Sequence, residues 1–564
     1  MIVRREKAVD LIARSSIFAT IAVSSAIAFS PTTVFAETAA ACAGLVNLKI
    51  APNEIALPSS GASIMSAQIA TVVADPTQPD GAKRDYCKVL GAIAPVDPKA
   101  PPVNFEVNLP LQWNGKALQY GGGGTNGVLI TGLAPLRDAR ADTPVPVARG
   151  YATWGTDSGH DNKQLPEPHA FALNREALEN MAHAAYKKTH DVGLRIVSAF
   201  YGRAPSKTYF YGGSEGGREA MIMAQRYPAD FDAIVSAVPV VNYTGINLPT
   251  GRLVELEQNG GWMNPQKVKA LKNAVNAACD LLDGLADGVI GAYERCLSVF
   301  DPKLIRCANG ADTGDNCLSD QQIEADRAVH RPYRYPFAFA NGVMSFPGWT
   351  YGSDDQPGGM IDSVTGKVPP KFPLDSEKGQ SVRAVNYSGF VRYFVAQDAK
   401  FDPLAFSAEK FRERLLALSR LFDATNPDLS AFANRGGKLI IKGNGADYQR
   451  SVMQEITYYK AVVAKIGQAR ADQFIRFYVT PGVNHPGNGL LASGEPVPAK
   501  VDLLGVLDDW ADGGKAPGIL TQVTLDRRAP FPVTASRPMC LYPAFPRYDG
   551  KGDPKQAASF SCSN

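Results

Sequence analysis

The sequence predicts an α/β fold: a mostly parallel sheet covered by helices on both faces and interrupted by one long insertion. Three observations predict it. Short apolar runs alternate with helical runs in residues 37–240 and again in 426–564, as parallel strands require, because each crossover between them carries a helix. Residues 241–425 lose that alternation and are rich in Gly, Pro, Asp and Tyr. Finally, Gly212-Gly213-Ser214-Glu215-Gly216 stands between the strand-like run 207–211 and the helix-like run 218–227. That is the strand–turn–helix setting of a G-x-S-x-G nucleophile elbow, and it narrows the class to an α/β-hydrolase fold with a large inserted lid domain.

The first element is a leader. Arg4, Arg5, Lys7 and Arg14 surround the start of an apolar stretch at 17–29, and the small-residue site Val34-Phe35-Ala36 follows. This layout predicts a signal peptide over residues 1–36 and a periplasmic or secreted protein. The apolar stretch is too short to span a bilayer comfortably. The formal charge is +3, and the leader holds four basic and two acidic side chains, so the mature chain is near +1. Such a balance gives no basis for binding nucleic acid or a membrane surface.

The hydrolase domain is expected at 37–240 and 426–564. In its first part, 105–109, 116–120 and 151–156 read as strands and 175–200 as mostly helix, with 233–238 as the parallel strand after the elbow helix. In its second part, 437–442 and 474–479 read as strands and 501–511 as a helix. Residues 451–466 place Val452, Ile456, Tyr459, Val462, Val463 and Ile466 at helical spacing. Residues 241–425 read as a lid over the carboxyl edge of the sheet, most loop-like at 346–380.

A serine hydroxyl attacks only when a base takes its proton, and the base needs an orienting carboxylate. On this fold the chain order is Ser, then Asp or Glu, then His. Of six histidines, His485 directly follows the run 474–479, where the carboxyl edge of the sheet would present it. His160 also follows a strand but precedes Ser214, and it reads as a packed structural residue. Asp447 ends the loop after 437–442, and its plainer role would be to cap the helix at 451–466. Ser214, Asp447 and His485 are therefore the expected nucleophile, orienting acid and base. Oxyanion donors are expected from the Glu215 backbone and from Gly121-Gly122-Gly123-Gly124, whose backbone can approach a substrate closely.

Asp280, Asp283 and Asp287 recur at intervals of three and four residues with glycines between them. Hard oxygens at such spacing suit Ca²⁺, although the EF-hand pattern is absent, and a solvated Asp-Gly loop is the simpler alternative. Eight cysteines in an exported chain read as disulfides, with 105 possible connectivities. Nearness suggests Cys279 with Cys296, Cys307 with Cys317 and Cys540 with Cys562, leaving Cys42 with Cys87.

Taken together, Trp113-Asn114-Gly115 and the stretches 121–127, 156–162, 212–218, 230–239, 279–296, 436–447 and 481–489 resemble the tannase and feruloyl esterase family, in the same order. The resemblance implies a secreted serine esterase acting on esters of aromatic carboxylic acids, of feruloyl, galloyl or terephthaloyl type. It maps the triad onto Ser214, Asp447 and His485, and the oxyanion donors onto Gly124 and Glu215. It implies a structural Ca²⁺ held by Asp280, Asp283 and Asp287 with the Leu285 and Val289 carbonyls, and the same four disulfide pairs. Two features depart from the family. Gly213 and Pro486 stand where a disulfide usually joins the residues beside the serine and the histidine, so packing must hold His485. Asn386 stands where some members carry a substrate-gripping arginine, with Arg383 and Arg392 off register. A small aromatic ester is the expected partner, and a monomer the expected state. The rival readings are a calcium-stabilised binding protein on an inactive hydrolase scaffold and a serine peptidase of the same fold.

Overall fold

The computed structural model describes residues 31–78, 80–372 and 378–564. The expected leader lies outside the described residues except for 31–36, which open the helix Pro31–Gly44. Among the described residues, no helix is long and apolar enough to cross a membrane.

Ten strands form one sheet: β1 (Lys49–Ile50), β2 (Ala62–Val73), β3 (Lys83–Ile93), β4 (Val103–Pro110), β5 (Lys116–Tyr120), β6 (Ala152–Thr156), β7 (Lys207–Gly213), β8 (Ala233–Ala237), β9 (Lys438–Asn444) and β10 (Ile475–Thr480). Their order is β1-β2-β3-β4-β6-β5-β7-β8-β9-β10. From β6 to β10 every pairing is parallel. From β1 to β4, and at the β4–β6 junction, the pairing is antiparallel. The sheet is thus less uniformly parallel than the sequence suggests, because a β2–β3 hairpin extends its first edge.

The parallel strands are buried on both faces, and their side chains alternate between two cores. Phe210, Ile234, Leu439 and Ile441 join the core on one face. Tyr209, Tyr211, Val235 and Ile440 join the other, with Leu503, Leu507 and Trp510. Each such side chain contributes roughly 1.5–3 kcal/mol by leaving water. The helices fall where the apolar spacing puts them. Ser451 caps Val452–Ile466 by accepting from Met453 N, and Asp502 caps Leu503–Ala511 by accepting from Gly505 N. Residues 175–201 are helical with a π turn at Asn180–Ala184.

The regular structure of the insertion is mainly helical, including Asn247–Leu256, Pro265–Cys279, Asp320–His330, Val382–Gly389 and Arg412–Phe422. Its Phe337, Trp349, Phe394 and Phe422 belong to the same hydrophobic core as Phe210 and Ile234 of the sheet. It is therefore fused to the hydrolase core rather than resting on it. The disulfides are Cys42–Cys87, Cys279–Cys296, Cys307–Cys317 and Cys540–Cys562, the pairs that nearness suggests.

Candidate active site

Ser214 sits at the end of β7, before the helix Glu215–Arg226, with φ +63° and ψ −119°. A non-glycine residue pays strain in that conformation, and the turn persists because its surroundings fix it. Ser214 N donates to Ala237 O on the neighbouring strand at 2.9 Å. Glycine is required at position 216, where a Cβ would lie 2.6 Å from Gly122 O.

Ser214 Oγ is 2.8 Å from His485 Nε2, and His485 Nδ1 is 2.7 Å from Asp447 Oδ2. Ser214 is 271 positions from His485 and Asp447 is 38 from it, yet the ends of β7, β9 and β10 bring all three together. All three are buried, with Ser214 the most open at 9%. Asp447 Oδ1 accepts from Gln449 N at 2.9 Å and Arg450 N at 2.8 Å. Those bonds orient the carboxylate, while the helix cap belongs to Ser451. Burial pushes the His485 pKa below the ordinary imidazole value, against the pull of Asp447, and Arg137 and Arg450 push the same way. A neutral imidazole held between a carboxylate and a hydroxyl can accept a proton at Nε2.

The insertion braces the acid. Thr350 Oγ1 donates to Gly445 O at 2.6 Å, Ser353 Oγ to Ala446 O at 3.1 Å, and Ser451 Oγ to Gly348 O at 2.5 Å. On the other side, the glycine loop after β5 lies against the elbow, with Gly216 N donating to Gly122 O at 3.2 Å. Glu215 opens its helix, so its N–H has no intrahelical acceptor. Gly124 N also has no acceptor among the described residues. The other histidines are packed elsewhere. His160 stacks on Phe171 at 3.9 Å, His183 meets Tyr227 Oη at 2.8 Å, His190 meets Asp230 O at 3.0 Å and His330 meets Trp349 O at 2.9 Å. His169 lies edge-on to Phe394.

Two arginines near this site take on roles that the sequence does not show: Arg137, which it does not single out, and Arg383, which it places off register. Arg137 fills the space beside Gly213, where a Cβ would lie 2.4 Å from Arg137 Cδ. Its Nη2 donates to the His485 carbonyl, and its own carbonyl accepts from Tyr211 Oη at 2.6 Å. An arginine thus ties the nucleophile strand to the histidine loop at the place where the sequence lacks a cysteine pair. Arg383 is 4% exposed, and none of its three nitrogens has a hydrogen-bond partner. Its guanidinium lies 3.6 Å from the centre of the Trp349 ring. Burial and then Arg450 disfavour its charge, while Asp447 and Glu257 favour it. Arg392 is spent on Glu167 and the Ala399 carbonyl. Arg137 lies in a turn and gives no signal in the sequence, so only its contacts single it out.

In the acidic loop, Asp280 accepts from Gly288 N at 3.0 Å, and Asp283 accepts from Leu285 N at 3.1 Å and Gly291 N at 3.0 Å. Asp287 accepts from Val289 N at 3.1 Å and pairs with Arg537 at 2.5 Å. Among the described residues, no three acidic, His or Cys side chains converge tightly enough to hold a metal by themselves. The donors are nevertheless hard oxygens on a loop stapled by Cys279–Cys296. Burial pushes Asp283 up to about 7, and the charges of Asp287 and Asp280 add to the shift. A hard cation such as Ca²⁺ would find both carboxylate and carbonyl oxygens on this loop.

The sheet order and the serine elbow define an α/β-hydrolase fold. Feruloyl esterase B from Aspergillus oryzae shares it, with a TM-score of 0.74 at 22% identity over 93% of this chain and 100% of that one. Residues 87–563 match the family model for tannase and feruloyl esterase. An uncharacterized esterase of Agrobacterium fabrum is 33% identical over 538 residues, 94% of each chain. The mono(2-hydroxyethyl) terephthalate hydrolase of Piscinibacter sakaiensis is 30% identical over 540 residues, 85% of each. The chain belongs to the tannase and feruloyl esterase family and is a carboxylic ester hydrolase.

Proposed function

We propose that this chain is an exported serine esterase that cleaves esters of aromatic carboxylic acids through an acyl-enzyme on Ser214. The observation that carries the reading is the continuous hydrogen-bonded chain from Asp447 through His485 to Ser214, at 2.7 and 2.8 Å. Ser214 Oγ attacks the ester carbonyl while His485 Nε2 takes its proton. The oxyanion is held by the N–H groups of Gly124 and Glu215, and Asp447 stabilises the imidazolium. His485 then returns the proton to the leaving alcohol. A water, deprotonated by the same nitrogen, releases the acid and restores Ser214.

The substrate class rests on family membership and on relatives named for feruloyl and terephthalate esters. Arg383 bears on its acid part: a buried guanidinium without a hydrogen-bond partner would pair with a ligand carboxylate that reached it. Export agrees with four disulfides. A Ca²⁺ on Asp280, Asp283 and Asp287, completed by the Leu285 and Val289 carbonyls, would neutralise the acidic loop and stabilise the insertion. An inactive binding scaffold is disfavoured, because the hydrogen-bonded chain from Asp447 through His485 to Ser214 is complete.

The test is a panel of methyl ferulate, methyl gallate, mono(2-hydroxyethyl) terephthalate and p-nitrophenyl acetate, run with the wild type and Ser214→Ala. Turnover of at least one aromatic ester well above p-nitrophenyl acetate, lost in Ser214→Ala, supports the reading. Activity on the acetate alone, or turnover that survives Ser214→Ala, contradicts it.

A further inference from the structure

The glycine loop after β5 carries four consecutive N–H groups, and three of them are already used. Gly121 N donates to Tyr211 O at 2.9 Å. Gly122 N donates to Glu219 Oε2 at 2.9 Å, and Gly123 N donates to Asn126 Oδ1 at 2.5 Å. Only Gly124 N is left without an acceptor among the described residues. A tetraglycine segment has more backbone freedom than any other sequence, so something must select which amide faces the serine.

That selection comes from two side chains buried behind the elbow. Glu219 lies on the helix Glu215–Arg226, one turn after Glu215, and is fully buried. Its second oxygen, Oε1, accepts from Asn126 Nδ2 at 2.6 Å. The same amide nitrogen reaches Tyr186 Oη at 2.5 Å. Each polar atom of the Asn126 amide is therefore assigned, which fixes its orientation. Asn126 itself sits at φ +54°, in the left-handed region that Asn tolerates better than most residues. The fit is tight: a Cβ at Gly121 would lie 2.9 Å from Glu219 Oε2, and one at Gly122 would lie 2.1 Å from Asn126 Oδ1. Gly216 and Glu219 thus belong to one helix, with the N–H of the first and the carboxylate of the second both bonded to the same loop.

We propose that Glu219, acting through Asn126, is the positioning residue of the oxyanion hole: it clamps Gly122 and Gly123 so that the Gly124 N–H is the one presented to the developing oxyanion. The inference rests on the serine esterase reading above and adds to it the group that sets the geometry of the second donor. Glu219 touches no substrate atom. It acts because a clamped loop needs no reorganisation when charge develops on the carbonyl oxygen.

The test compares the full-length wild type with Glu219→Ala, Glu219→Gln and Asn126→Gly, the last chosen because glycine tolerates the positive φ. Each is assayed on p-nitrophenyl acetate and titrated with an aryl trifluoromethyl ketone, which forms a tetrahedral adduct on the serine. Loss of one donor's alignment should lower kcat by about 10²–10³ for Glu219→Ala, the cost of removing an oxyanion-hole donor. KM should stay within about threefold, because the ground-state carbonyl depends little on that donor. Affinity for the ketone should fall in step with kcat, and affinity for the acid product should not. Glu219→Gln keeps an acceptor for Gly122 and should recover part of the loss. A folded Glu219→Ala or Asn126→Gly with wild-type kcat and ketone affinity overturns the clamp. So does a loss shared equally by kcat, KM and melting temperature, which would mark a merely structural role. If Glu219→Ala does not fold, Asn126→Gly decides alone. A wild type that neither turns over the ester nor binds the ketone sinks the esterase reading instead, and the clamp with it.

Discussion

Replacing Asp447 by Asn is a demanding test of the site, because the structure dictates which way the new amide must point. Asp447 Oδ1 accepts from two backbone N–H groups, of Gln449 and Arg450, at 2.9 and 2.8 Å. Only the carbonyl oxygen of an asparagine can take that position. Its NH₂ must then occupy the place of Oδ2 and donate toward His485 Nδ1, which today is 2.7 Å from Oδ2. The imidazole would be driven into the tautomer with its proton on Nε2, 2.8 Å from Ser214 Oγ. In that form it cannot take the serine proton. The change leaves volume and packing almost untouched, so stability should be nearly unaffected while kcat falls by about 10⁴, the loss seen when the orienting acid of such a site is amidated. That corresponds to about 5.4 kcal/mol of transition-state stabilisation. The assay is kcat and KM on p-nitrophenyl acetate, with melting curves as a control for folding. A folded Asp447→Asn variant retaining a tenth of the wild-type kcat would refute the assignment of Asp447 and the tautomer argument together.

Other expectations follow from the same geometry. Burial, aided by Arg137 and Arg450, depresses the His485 pKa, so the neutral base persists as pH falls; the acid limb of kcat/KM should lie below the ordinary imidazole value of about 6.5, and Arg137→Met should move it upward. A limb well above 7 in the wild type would contradict this. Removing calcium with EDTA should lower the melting temperature, since binding to the native state alone stabilises it, and an unchanged melt after verified metal removal would point to a bare acidic loop. Arg383→Leu should raise KM for mono(2-hydroxyethyl) terephthalate by about tenfold or more, as loss of a charge-assisted bond implies, while leaving methyl ferulate little changed; equal effects on both esters would rule out a carboxylate grip.

What the sequence reveals depends on where the information lies. Strands β5 to β10 are buried on both faces, so they read as short apolar runs, and their positions match within about two residues. The β2–β3 hairpin is missed because β2, with its Ala, Ser and Thr residues and its exposed Met65, blurs the alternation that marks a half-buried strand. The convergence of Ser214, Asp447 and His485 is legible because each follows a recognisable strand in a fixed chain order. Arg137 and Glu219 are not, because their roles consist of contacts with residues 348 and 97 positions away. A cysteine pair at 213 and 486, suggested by the resemblance, would meet Arg137 in the space beside Gly213. Any attempt to install that disulfide must first remove the arginine.

Ser214 as an activated nucleophile is tested most directly by intact-mass spectrometry of the protein after reaction with a fluorophosphonate, followed by peptide mapping. One adduct per chain, located on Ser214, absent in Ser214→Ala and slowed by an aromatic ester substrate, is the predicted result. No adduct under conditions that label a known serine esterase, or an adduct on another residue, would contradict the claim.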